Sequence, residues 1–156
     1  MKTLMTLLTF CALTAFAENS YITNDVTKPV PVTQTAVMPS GATAVGATSG
    51  NVANASAAAT LPAVSGKTNF LTGFEITASG ATAGLVVNAT VTGLATGTQN
   101  YAFTFPAGVA VAALPLIVIF DNPIPASATN TAITVTLPAS GAGGTNAAVN
   151  VHGFTL

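Results

Sequence analysis

From Asn51 to the C-terminus the chain alternates with a period of two: short runs of apolar and polar residues in turn are separated by clusters of Gly, Pro, Ser, Thr and Asn. Successive side chains of a strand point to opposite faces, so this period places one set of residues in a core and the other in solvent, which a helix cannot do. Several such runs at regular spacing predict an all-β, antiparallel sandwich of the jelly-roll or Greek-key kind, with about seven to eight strands. The candidate strands lie within "NVANASAAATL", "KTNFLTGFEITA", "LVVNATVTGL", "YAFTFP", "LPLIVIF", "TAITVTL" and "AAVNVHGF".

The alternation assigns faces. In the second run Phe70, Phe74 and Ile76 share one side and Leu71, Glu75 and Thr77 the other; in the third, Leu85, Val87, Ala89 and Val91 oppose Asn88, Thr90 and Thr92. Tyr101, Phe103 and Phe105 fall together, and Ile133, Val135 and Leu137 point inward with Thr134 and Thr136 outward. "LPLIVIF" is apolar on both sides, which predicts either a central strand or one that meets another subunit. The connections "ASGATAG", "GLATGTQ", "DNPIPASATN" and "PASGAGGTN" supply the glycines and prolines that tight turns require.

Residues before this block read differently. "MKTLMTLLTFCALTAFA" joins a basic Lys2 to an apolar core and ends in Ala15-Phe16-Ala17, the parts of a secretory signal cleaved after Ala17. The same residues also suit a short apolar segment of helical length kept as an anchor, and they fall short of the roughly 20 apolar residues of a membrane span. Residues 18–50 carry Pro29, Pro31 and Pro39 among Thr, Val, Ala and Gly and predict an extended arm, because proline fixes φ and removes an N–H. The expected organisation is therefore an apolar segment 1–17, an arm 18–50 and a β-sandwich 51–156.

Charge narrows function. Only 4% of the residues are charged, against about 25% in ordinary soluble proteins. Lys2, Lys28 and Lys67 are the only cations, so there is no basic stripe to neutralise nucleic-acid phosphates. Beyond the arm the ionisable groups are Lys67, Glu75, Asp121, His152 and Tyr101. A hydrolytic triad would need Asp121 and His152 to converge on a serine, and a pair of carboxylates for glycoside chemistry could only be Glu75 with Asp121. With one candidate per role, the expectation is no enzyme, no catalytic residue, no cofactor, no metal and no small-molecule substrate. Gly-rich "SGAGG" lacks the lysine of a phosphate cradle, and the one cysteine, Cys11, forms no intrachain disulfide.

Alanine-rich strands bury little area each, and burial contributes roughly 25 cal/mol per Å². Self-association is therefore expected, with Ile117 and Ile119 of the two-sided strand and Asn150 and His152 of the last strand as candidate subunit contacts. Uncharged Thr and Asn bond across an interface without the desolvation cost of charge.

The segments "SGNVANASAAATLPAVSGKTNFLTGFEITASGATAG", "VNATVTGL", "YAFTFPAG" and "NPIPASATNTAITVTLPASGAGGTNAAVNVHGF" resemble a small β-sandwich family encoded widely in tailed-bacteriophage genomes, over about two-thirds of the chain. Most specific is "PIPASATNTAITVTLPASGAGGTNAAV" followed by His152-Gly153-Phe154. The resemblance implies a virion structural protein, a capsid decoration (cement) protein or head fibre, trimeric and without catalytic residues. It also implies that the chain's partners are its own copies and the major capsid protein on the capsid exterior. The signal-like N-terminus departs from that pattern. It leaves two further readings open: an exported, cell-surface adhesive β-domain, and a head-fibre or tail component that contacts the host.

Overall fold

The computed structural model describes residues 38–156. The expectations for the apolar segment 1–17 and for most of the arm fall outside the described residues. Eight strands follow in order: β1 Thr43–Thr48, β2 Ala57–Leu61, β3 Asn69–Ala78, β4 Leu85–Thr92, β5 Gln99–Phe105, β6 Leu116–Pro125, β7 Ile133–Leu137 and β8 Ala147–Thr155. They form two four-stranded antiparallel sheets with the orders β1-β8-β3-β6 and β2-β7-β4-β5. Only β4 and β5 are consecutive neighbours, and every other connection crosses between the sheets, which is the wiring of an eight-stranded jelly roll. The all-β sandwich follows from the alternation as expected.

All seven anticipated strands are present. The additional one is β1, which lies inside the stretch assigned to the arm and pairs along its whole length with β8, from Thr43↔Thr155 to Thr48↔Asn150. The sandwich therefore starts well before Asn51. A turn closed by the Ala42 N–H donating to the Pro39 carbonyl leads into β1. Its side chains alternate too, with Val45 and Ala47 half-buried and Ala44, Gly46 and Thr48 exposed. They are so small that backbone pairing with β8, not side-chain burial, makes this segment a strand.

A second difference concerns β3. Phe70 does not share the face of Phe74 and Ile76. Both neighbours of β3 show a register shift between Leu71 and Gly73, so that Leu71 faces Gly153 while Gly73 faces His152 on β8. Thr72 is the extra residue of a β-bulge, and one inserted residue exchanges the two faces of everything beyond it. Asn69 and Leu71 are inside before the bulge, and Phe74 and Ile76 inside after it. Phe70 lies on the outer face, where its ring stacks on that of Phe154 at 4.9 Å.

Between the sheets the filling is graded. At the β1–β2 side the inward residues are mostly small, Val45 and Ala47 with Ala57 and Ala59 beside Leu61, and β2 comes close to both β1 and β8. Toward β5 and β6 the space is held by aromatic rings. Phe74 meets Tyr101 edge-on at 5.1 Å and Phe120 at 6.5 Å, and Phe103 meets Phe105 at 5.1 Å. Small residues let backbones approach and large ones keep them apart, so the sandwich is a wedge that is pinched at β1–β2 and open at β5–β6.

Candidate functional site

The four residues expected at a subunit contact all stand on one surface, the outer face of the sheet β1-β8-β3-β6. The register builds this face in cross-strand rows. One row runs Gly46, His152, Gly73, Ile119, and the next runs Thr48, Asn150, Glu75, Ile117. A third, beyond the bulge, runs Ala44, Phe154, Phe70, Pro125. With neighbouring strands about 4.8 Å apart, Asn150 and His152 on β8 stand two strands from Ile117 and Ile119 on β6.

"LPLIVIF" is an edge strand rather than a central one. Its apolar inner side, Leu116, Val118 and Phe120, packs against the core. Its outer side leaves Ile117 61% and Ile119 77% exposed, among the largest exposures of any bulky aliphatic side chain described. Gly73, between His152 and Ile119, sits low, since a Cβ there would stand 2.6 Å from the Val118 carbonyl oxygen. Absence of a side chain at Gly46 and Gly73 leaves His152 in a shallow trough, exposed. Alternation already set Glu75 opposite Phe74 and Ile76, on this face; sequence reasoning did not name Gly73, and it missed Phe70, which the Thr72 bulge brings to this face in place of Leu71.

Chemically the face is bland. Among the described residues, no three of His, Cys, Asp and Glu come together to hold a metal ion. Asp121 lies on β6 and His152 on β8, with β3 between them. Glu75 is half-buried between Asn150 and Ile117. The described phenol, Tyr101, donates to Gln99 Oε1 at 2.6 Å, and burial raises its pKa above the usual value for tyrosine.

The outer face of the other sheet is a threonine surface. Thr60, Thr134 and Thr92 form one row, and Ala58, Thr136, Thr90 and Asn100 the next. Thr60 and Thr134 share a hydrogen bond of 2.9 Å between their hydroxyls. An open groove of about 360 Å³ is lined by Asn51, Thr77, Ser79, Val109, Val111 and Asn146 among others, and the Asn51 amide donates to Asn146 Oδ1 at 3.1 Å across it.

Asn69 and Thr155 are the two buried polar side chains among the described residues, and Asn69 ties three segments together. Asn69 is 2% exposed and its amide donates to the carbonyls of Pro62 (2.9 Å) and Thr131 (3.0 Å), tying the loops after β2 and before β7 to the start of β3. Asn69 Oδ1 and the hydroxyl of Thr155, its partner on β8, have no hydrogen bond.

Comparison with protein families, with curated proteins and with solved structures gives no match.

Proposed function

We propose that this chain is a structural virion protein, a capsid decoration (cement) protein that trimerises and stabilises the phage head exterior by binding the major capsid protein. The observation that carries the reading is the pair Ile117 and Ile119, bulky and exposed on an unpaired edge strand, in a chain with 4% charged residues. Two adjacent exposed isoleucines on an edge are a liability for a free monomer and an asset for a part that binds once and stays. The jelly roll agrees with this by analogy alone, since it is common in viral capsid proteins and also in lectins.

The arm contributes through multivalency: three arms tied to one trimer raise the effective local concentration of each at the capsid surface. The truncation that tests it must stop short of Thr43, because β1 belongs to the sandwich. Ala36–Leu156 is a compact unit of its own, so removing residues 1–35 is expected to leave a soluble oligomer that no longer stays on purified heads. Undiminished occupancy would remove the arm's role, and absence of binding by the full chain would sink the reading.

The groove beside Asn51 and Asn146 favours a second reading, the exported adhesive β-domain. Its lining is uncharged and mostly alanine and valine, with Asn51, Thr77, Ser79 and Asn146 among them, a mix that suits the apolar face and the hydroxyls of a sugar. Mass spectrometry of the mature N-terminus separates the two. Met1 or Lys2 accords with assembly on capsids, and Glu18 with export.

A further inference from the structure

We infer that the open side of the wedge, between β5 and β6, is the surface on which a second copy of this chain docks, completing a core that one copy leaves unfinished. The inference refines the self-association in the reading above and stands or falls separately from the capsid.

Three observations converge on this flank. Leu116, Val118, Phe120 and Tyr101 all point into the sandwich, yet each is only half-buried; the inward residues left half-buried on the opposite edge, Val45 and Ala47 of β1, are far smaller, so most of the uncovered inner apolar surface lies here. On the same strand the outward side chains Ile117 and Ile119 are exposed as well, so β6 is under-covered on both faces at once. Finally, β6 is an edge whose protection is lopsided. Natural edges are guarded by charge, proline or bulges. Here Asp121, Pro123 and Pro125, with the register jump beside them, guard the far half. Leu116 to Phe120 carry no charge, proline or bulge of their own, with Pro115 only preceding them, and no other described strand pairs with them on that side.

Charge identifies the occupant. An ordinary protein surface brings many charged groups, and burying them against a flank whose charges among the described residues are only Glu75 and Asp121, at its margins, costs several kcal/mol per unpaired ion. This chain's own surface brings almost none. A second copy presents the same sparsely charged, bulky flank, and around a rotation axis the same surface converges on itself. Of the four candidate contact residues, Ile117 and Ile119 then lie in the interface core. Asn150 and His152, two strands away, are left at its rim or outside it.

The test uses the full-length chain in sedimentation velocity at matched concentrations. Wild type is expected to be oligomeric at tens of micromolar. The double variant Ile117→Lys/Ile119→Lys changes only outward side chains and is expected to keep its circular dichroism while its dissociation constant rises roughly 100-fold or more. Asn150→Lys/His152→Lys is expected to stay within about tenfold of wild type. A monomeric wild type, an unchanged isoleucine variant, or equal dissociation by the two double variants overturns the inference.

Hydrogen exchange on the wild type decides the matter should the isoleucine variant misfold. Amides of residues 116–120 must lose protection on dilution, and dilution-independent protection counts against the proposal. An oligomer that behaves as described but ignores capsids would refute the virion reading and leave this one intact.

Discussion

Asn69 is the most informative single position for the stability of the fold. Its side chain spans three segments, and removing it in Asn69→Ala takes the donors away from the Pro62 and Thr131 carbonyls at once. A hydrogen bond of this kind contributes about 1 kcal/mol net, and a buried acceptor left without a donor costs about 1–3 kcal/mol. Both carbonyls are partly buried, which places the loss near the low end for each. Relief of the unpaired Oδ1 gives back about 1 kcal/mol. The net is a loss of about 1–3 kcal/mol, equivalent to a fall in Tm of roughly 4–12 °C for a domain of this size. The assay is thermal and urea denaturation followed by circular dichroism at one fixed protein concentration, because association adds a concentration-dependent term. Asn69→Asp is expected to be worse, since it aims a carboxylate at carbonyl oxygens inside the protein. A fall below about 3 °C in Asn69→Ala, or an Asp variant as stable as the Ala variant, would refute the claim that these bonds hold the two loops.

The companion position behaves in the opposite sense: Thr155→Val removes an unpaired buried hydroxyl at nearly constant shape and is expected to be neutral or to raise stability by up to about 1 kcal/mol, so a clear loss in the same melts would show that the hydroxyl does have a partner. Gly73→Ala drives a methyl against the Val118 carbonyl at the bulge and is expected to cost about 1–3 kcal/mol, read as a lower urea midpoint with unchanged m-value. The Tyr101 phenol titrates above free tyrosine because burial disfavours its anion. Its contribution to stability is fully present below about pH 10 and is lost as pH rises through the elevated folded value. Ultraviolet titration in a Tyr21→Phe background measures it, and a midpoint at or below the free value would contradict the burial. Deleting residues 1–49 removes β1 along with the arm and uncovers the β8 edge, so it is expected to aggregate, whereas deletion of 1–35 does not; equal solubility would mean that β1 is dispensable.

Much of this architecture was legible in the alternation, and the exceptions have physical causes. Strands β4, β5 and β7 keep a strict period of two: Ala89 and Val91, Phe103 and Phe105, and Ile133, Val135 and Leu137 are buried as the pattern predicts, while Val87 and Tyr101 are half-buried and Leu85, at the start of β4, is exposed. In β3 the pattern misleads because a single unpaired threonine exchanges the faces, and the only local sign of it is the following Gly73, a glycine inside a strand. β1 was hidden because an edge strand held by backbone bonds needs no bulky side chains, and Gly46 and the preceding Pro39 imitate a linker. A two-sided apolar run such as β6 is ambiguous for another reason. A strand buried between two layers and a strand waiting for a partner have the same composition, and only the sheet order separates them.

Alanine-rich strands bury little area each, and the structure distributes the resulting deficit unevenly. At the pinched side Ala57 and Ala59 are fully buried because small residues permit close approach of the backbones, and dispersion between well-packed chains replaces some of the area that bulky side chains would supply. At the open side aromatic rings fill the gap only in part, and the residues around them stay half-covered. The remaining deficit is thus concentrated along one flank, next to the one edge that also displays two isoleucines. A shortfall spread thinly would have been met by a general stickiness without geometry. Gathered at a single flank, it gives association a direction, and a part that must occupy one orientation on a larger surface needs that property.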